Sequence, residues 1–352
     1  MVFIVMAEEK KRAQRWKVII NTFTFAALAL LLFLVWDDVI ETFQRLDDVN
    51  LWILLLIIPA QGINFLAYSK MYQSLLHFLG HTLRLKTLYR VTLELNFVNH
   101  VFPSGGVSGF SYFSLRMKPL GVSTSQSTLI QVMRFVLIFI SFQALLIFGL
   151  LALTLSGSVN NFVLLLSGSL ATLLLVGTLL TGYIVGSKQR INAFFTGLTK
   201  FINRVIGYIR PKNKETISVA RVEKGFTELH ENYVLFKKDF GVLRRPLWQA
   251  LLANTTEILT LYAVFAAFGF WVNPGAVILA YAVANFAGLV AVLPGGVGIY
   301  EALMATVLAS AGVPVSISIP VIIMYRVLTI ILQLPLGYYL YHRAVQDNDI
   351  TV

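Results

Sequence analysis

Long apolar runs separated by short charged stretches dominate this chain. The runs cover residues 18–36, 51 to just past 68, 125–153, 161–185, 246–270 and 316–341. Each is close to or above the roughly 20 apolar residues that cross a bilayer as a helix, so the pattern predicts six full transmembrane helices. Two further apolar segments, 87–119 and 274–312, are interrupted midway by proline and paired glycines. Irregular backbone at membrane depth is tolerated only where protein or a water-filled cavity surrounds it, so these segments predict two re-entrant broken-helix hairpins. The expected fold class is an all-α polytopic membrane protein, with one transmembrane domain over residues 1–352.

The polar stretches orient the helices. Lys10, Lys11, Arg12, Arg15 and Lys17 precede the first run, and Lys70, Arg84, Lys86 and Arg90 follow the second. Between those two runs, residues 37–50 hold five acids and one arginine. Lysine and arginine concentrate in cytoplasmic loops. The N-terminus, the 70–90 stretch and the C-terminal His342-Arg343 are therefore expected inside, and the acidic loop outside. Residues 187–245 form the one sizeable polar segment, with thirteen Lys/Arg and five Asp/Glu. Ile191, Phe194, Leu198, Ile202 and Val205 recur there at roughly helical spacing. That spacing suits basic amphipathic helices on the inner leaflet or a solvated loop packed on the bundle.

Composition narrows the class. Of the 352 residues 57% are hydrophobic and 13% charged, half the charged share of a soluble domain, and the mean hydropathy is +0.76. A soluble globular chain and a disordered one are both excluded. The formal charge of +11 points, on a membrane protein, to the anionic cytoplasmic leaflet and not to nucleic acid. There is no cysteine, which removes disulfides, thiol catalysis and Cys-bound metals.

The two broken segments repeat a set of landmarks. Pro103-Ser104-Gly105-Gly106 and Pro294-Gly295-Gly296 mark the breaks. Gly121-Val122 and Gly312-Val313 follow each proline by 18 residues, and Arg134 and Arg326 follow those glycines by 13 and 14. The order predicts two repeats, about 18–153 and 159–342, with the basic segment 187–245 inserted in the second. By crossing count the first hairpin is entered from inside and the second from outside, so the repeats are expected to be inverted. Inverted repeats with broken helices build alternating-access carriers with a site near the midplane, and half-helix N-termini there favour anions. Tight helix packing alone would also use such glycines.

The second break, Leu293-Pro294-Gly295-Gly296-Val297-Gly298-Ile299-Tyr300-Glu301, followed by Gly312 and Tyr325-Arg326, resembles the lysylphosphatidylglycerol synthase transmembrane-region family, also described as flippase-like. Residues 103–134 resemble that family's N-terminal motif, except that Val107-Ser108-Gly109-Phe110 stand where members usually carry an acid; Arg116 follows. The resemblance covers nearly the whole chain. It implies an integral plasma-membrane protein that moves a lipid between leaflets. In the best-known members this region is fused to a soluble aminoacyltransferase domain that makes lysylphosphatidylglycerol. With the chain ending at Val352, that domain and its chemistry are expected to be absent.

Candidate lipid-binding residues can then be named. Arg134 and Arg326 lie inside apolar runs, where an arginine costs about 3 kcal/mol on insertion scales. A guanidinium suits a lipid phosphate; an ion pair with Glu301 or Glu257, or snorkelling to the interface, would also account for them. Glu301 opens a half-helix, where it can cap, release Arg326 when lipid arrives, or carry a coupling proton. Glu257 shares a helix face with Asn254, and interhelical hydrogen bonding is its simpler role. Asn96, Asn99, His100 and Pro103 form a polar stripe leading to the first break, expected to line a cavity or bridge helices. Gly105, Gly106, Gly295, Gly296 and Arg116 complete the set. His77 and His81 are four apart with no third ligand near, and neither a metal nor another cofactor is expected.

No Gly-x-Ser-x-Gly, His-Glu-x-x-His or Gly-Lys-Ser/Thr motif occurs, so a transporter is expected rather than an enzyme. The expected activity is translocation of an anionic phospholipid or polyprenyl-phosphate-type lipid between leaflets of the plasma membrane. Two alternatives stand: a non-catalytic membrane partner of a lipid-modifying or glycosylation enzyme, and an intramembrane lipid transferase. Membrane lipids are the expected partners, with a lipid-modifying enzyme or a second copy of the chain open as others.

Overall fold

The computed structural model describes residues 30, 33, 36–45, 47, 49–102, 107–155, 161–193, 196–197, 230–231, 233–234, 239–290 and 298–346. Regular structure among the described residues is helical. The main helices are α1 (Trp36–Gln44), α2 (Leu51–Phe78), α3 (Leu85–Val101), α4 (Val107–Met117), α5 (Thr124–Leu155), α6 (Asn161–Val185), α7 (Arg244–Ala267), α8 (Pro274–Val290), α9 (Ile299–Ser310) and α10 (Val315–Gln346). Five of the predicted spans fall on α2, α5, α6, α7 and α10, which contain stretches long and apolar enough to cross a membrane. Most of the sixth, at 18–36, and most of the basic segment 187–245 lie outside the described residues.

Helix lengths match in two series, α2–α5 and α7–α10. α3 and α8 have 17 residues each, α4 and α9 have 11 and 12, and α5 and α10 have 32 each. At 1.5 Å per residue the outgoing arm of each hairpin is about 25 Å long and the return arm about 17 Å, against a hydrocarbon core of about 30 Å. The joints match too. Gly121 (φ +82°) and Gly312 (φ +90°) end the return arms. Val122 N–H donates to the Met117 carbonyl (3.3 Å) and Val313 N–H to the Leu308 carbonyl (2.9 Å). This closure needs a left-handed residue, which only glycine adopts without strain.

The two series interlock. α2 packs along α7 in the antiparallel sense. Asn50 N–H, just before α2, donates to the Ala267 carbonyl at the end of α7 (2.8 Å), and in mid-helix Asn64 donates to the Ala253 carbonyl (2.8 Å). One hairpin follows the end of α2 and the other the end of α7, so they enter the bundle from opposite ends. Each 32-residue helix then receives the other series' hairpin: α5 packs on α8, and α10 on α3. Small residues permit the approach. A side chain at Gly275 would overlap the Gly149 carbonyl, and one at Gly337 would stand 2.7 Å from the Phe97 Cβ and 2.9 Å from the Leu93 carbonyl. Such close contact is how helices gain packing energy in lipid, where no hydrophobic force separates them from their surroundings. Leu165, Leu173 and Leu179 on α6 and Ile147, Phe148 and Leu151 on α5 are exposed, as a lipid-facing surface requires.

Candidate functional site

A cavity of about 210 Å³ lies where the two series meet. The first series contributes Asn64, Tyr68 and Tyr72 from α2, Asn96, Asn99 and His100 from α3, and Arg134 from α5. The second contributes Glu257 from α7, Tyr281 and Asn285 from α8, Tyr300 from α9, and Tyr325, Arg326 and Gln333 from α10. Arg134 lies ten residues beyond the start of α5, and Arg326 eleven beyond the start of α10. These positions are about 15 and 17 Å along helices that start at opposite ends, which is half of a core about 30 Å thick.

The two arginines are held differently. Arg326 pairs with Glu301, and its guanidinium lies 4.9 Å from the Tyr300 ring centroid. Glu301 stands in the first turn of α9. Its Oε2 accepts from the Gly298 N–H (2.7 Å), while its Oε1 takes Arg326. Capping and pairing therefore coexist in one carboxylate. Arg134 has no carboxylate within ion-pair distance among the described residues. Its Nη1 donates to Gln131 (3.2 Å), and it rests 5.4 Å from the Tyr68 ring centroid and 5.1 Å from that of Phe135. Its Nε is buried without a hydrogen-bond partner among the described residues. Arg134 is half-buried, meets the Tyr68 and Tyr72 side chains and faces the cavity, where a cation at membrane depth is stabilised by water or by an anion.

A hydrogen-bond chain ties the series together beside these charges. Asn96 donates to Gln333 (2.8 Å), Gln333 to Gln61 (2.8 Å) and Gln61 to Glu257 (3.2 Å). The Tyr325 hydroxyl donates to the same Glu257 oxygen (3.1 Å). The links run α3–α10–α2–α7, crossing between series at each step. Unpaired amides and carboxylates at this depth would each cost several kcal/mol or more, which explains why the chain is continuous.

The family model described as "Lysylphosphatidylglycerol synthase TM region" matches residues 18–337. The chain belongs to that family. A UPF0104 membrane protein of Methanothermobacter thermautotrophicus is 31% identical over 128 residues, which is 36% of this chain and 31% of that relative. The chain thus spans about a third of the length of the curated relative it matches. Family and apolar helices agree on a multi-pass membrane protein, and the family is consistent with a lipid-related role.

Six of the residues proposed from the sequence of this family member meet in the cavity: Arg134, Arg326, Asn96, Asn99, His100 and Glu257. His100 is fixed by a hydrogen bond from Nδ1 to the Asn96 carbonyl (2.9 Å). Asn99 Oδ1 is buried without a partner among the described residues, and a side chain at Gly109 would overlap it. Glu257 is both an interhelical tie and part of the wall, whereas Asn254 turns to Ser141 and the Ile138 carbonyl on α5. Glu301 reaches the site through Arg326. Arg116 is not brought there. Its Nε donates to Glu94 (2.8 Å), whose same oxygen accepts from the Tyr112 hydroxyl (2.8 Å). Glu94 on the neighbouring arm captures it. Gly105, Gly106, Gly295 and Gly296, with Pro103 and Pro294, lie outside the described residues.

Sequence reasoning missed the wall tyrosines, Gln61, Gln333 and Asn285. One signal was present. Asn285 and Asn96 are 189 residues apart, the same offset as the starts of α8 and α3. Single tyrosines in apolar helices carry no comparable mark.

Proposed function

We propose that this chain translocates an anionic, phosphate-bearing lipid between leaflets of the plasma membrane and is not itself an enzyme. The observation that supports this most is the convergence of Arg134 and Arg326, from corresponding positions of two helix series, on one polar cavity at mid-depth. A phosphate entering that cavity exchanges its water for guanidinium and amide donors, while the acyl chains stay in lipid. Arg134 receives it first, having no carboxylate to give up. Arg326 joins as Glu301 releases it. The two series act as an inverted repeat, and rocking one against the other opens the cavity to each leaflet in turn. Both termini are cytoplasmic in this reading, and the lipid is of the phosphatidylglycerol or polyprenyl-phosphate type.

Reconstitution of the purified chain in liposomes containing fluorescent phosphatidylglycerol tests the proposal. Leaflet exchange by the protein alone is expected, with loss in Arg134→Ala and Arg326→Ala at normal expression. Full transport by both variants would remove these residues from the mechanism. A new covalent lipid product would favour a transferase, and neither exchange nor product would favour a non-catalytic partner of another enzyme.

A further inference from the structure

The helices of the two series carry three acids, Glu94, Glu257 and Glu301. Two are paired, Glu94 with Arg116 and Glu301 with Arg326. Glu257 has no lysine, arginine or histidine within ion-pair distance among the described residues. Neutral groups hold it instead. Gln61 Nε2 (3.2 Å) and the Tyr325 hydroxyl (3.1 Å) both donate to its Oε2, and its Oε1 accepts no hydrogen bond among the described residues. A glutamine would tie these helices equally well, because both partners donate to an oxygen. The tie is also indifferent to charge, since a proton on Oε1 leaves both bonds to Oε2 in place.

The surroundings bear on what that carboxyl does. Glu257 lines the central cavity, thirteen residues beyond the start of α7 and ten before its end. It shares the wall with Tyr68 of α2, Arg134 of α5, Tyr281 of α8, Tyr300 of α9, and Tyr325 and Arg326 of α10, with His100 contributed by α3. Tyrosine stays neutral and arginine charged across the physiological pH range. His100 is tied through Nδ1 to the Asn96 carbonyl, and a proton there would add a third positive charge to a wall that already holds two arginines. Glu257 is the acid of that wall. An intramembrane carboxyl without a counter-ion is the kind of group that relays protons.

We propose that Glu257 is the proton site of a proton–lipid symporter: one proton rides on its carboxyl with each phosphodiester lipid that enters the cavity, and both leave on the far side. The symport rests on the transport reading and adds its coupling. A phosphodiester brings one negative charge. With Glu257 ionised, two anions would share a cavity of about 210 Å³, where repulsion is poorly screened. A proton taken from water on the open side turns the carboxylate into a carboxylic acid and removes that repulsion. Lipid and proton therefore bind cooperatively, each raising the affinity for the other by the same factor. When the lipid leaves on the other side, the carboxyl returns its proton to the water there. The lipid's negative charge and the proton's positive charge cross together, so the cycle moves no net charge.

The test uses the full chain in phosphatidylcholine liposomes with a trace of fluorescent phosphatidylglycerol. A pH difference of about one unit should drive about tenfold accumulation of the probe in the leaflet on the alkaline side, because one-to-one coupling equates the two free energies. A protonophore should abolish the asymmetry, and a potassium diffusion potential alone should produce none. Glu257→Gln should lose the asymmetry and Glu257→Asp, which keeps a carboxyl, should retain it. Calorimetry of phosphatidylglycerol binding in buffers of different ionisation enthalpy counts protons without requiring transport. Wild type should take up about one per lipid and Glu257→Gln none. Exchange that ignores the pH difference overturns the symport and leaves the transport reading standing, whereas no exchange at all overturns both. Accumulation driven by voltage but not by pH also overturns it, as does proton uptake that survives Glu257→Gln.

Discussion

The two helix series share their lengths and joints but place their charges differently. In the first, the acid and arginine of the hairpin, Glu94 and Arg116, are sealed against each other between α3 and α4, away from the central cavity. Arg134 is left at the cavity without a carboxylate among the described residues. In the second series Glu301 comes to the cavity edge and takes Arg326. The first-series position matching Glu301 is Phe110: each precedes the joint glycine of its return arm, Gly121 or Gly312, by eleven residues. Phe110 carries no charge and stacks on Phe135 (5.6 Å between centroids). A nearly symmetric scaffold thus builds an electrically asymmetric cavity, with one standing cation and one guarded by an acid. Under the proposed function an anion would engage Arg134 before Arg326.

The contrast can be broken at four places. The largest expected effect is on stability. Glu94→Ala leaves Arg116 buried without its acid and should cost about 3–5 kcal/mol, whereas Glu301→Ala should cost less, since Arg326 keeps its contact with Tyr300. Unfolding in detergent compares them, and equal losses would erase the distinction between a sealed pair and a working one. Next, Arg134→Ala should reduce lipid exchange about tenfold to a hundredfold, the range for losing hydrogen bonds to a charged group, with little change in unfolding because no carboxylate is orphaned. Third, Glu301→Gln removes the charge that holds Arg326 while keeping an oxygen for the Gly298 N–H, and should tighten anionic-lipid binding by up to about tenfold; weaker binding in a lipid-competition assay would contradict the guarding role.

The smallest effect concerns pH. Asp38, in the acidic stretch before α2, is held above its ordinary value of 3.8 by partial burial first and then by the Glu301 charge, with Arg326 opposing. A carboxyl raised in the folded state favours folding below its unfolded value and loses that contribution as pH rises. Asp38→Asn should therefore raise the melting temperature slightly near neutral pH, and the gain should vanish as pH falls toward 3.8. A constant difference across that range would mean that burial and the Glu301 charge do not raise the Asp38 carboxyl.

Much of the scaffold was legible because its determinants are local. Apolar length sets the spans, and a glycine before valine sets each Schellman joint, so Gly121 and Gly312 could be matched by spacing alone. The arginines were legible because charge inside an apolar run demands a cavity or a partner. The wall was not, since Tyr68, Tyr281, Tyr300 and Tyr325 become neighbours only when helices far apart in sequence turn particular faces together. Arg116 shows the same limit from the other side. Its position after the first break suggested a lipid contact, but its environment is decided by Glu94, 22 residues earlier on the opposing arm.

Cysteine accessibility tests the central claim most directly, because the chain has no native cysteine to give background. Cysteine in place of Asn96 or Asn285, one on each side of the cavity, should react with a membrane-impermeant thiol reagent in intact membranes, and added anionic lipid should slow both. Cysteine in place of Leu173 or Leu179, exposed on the apolar surface of α6, should stay unlabelled. If neither cavity position reacts from either side of the membrane, the space between the two series is closed to water and cannot carry a headgroup.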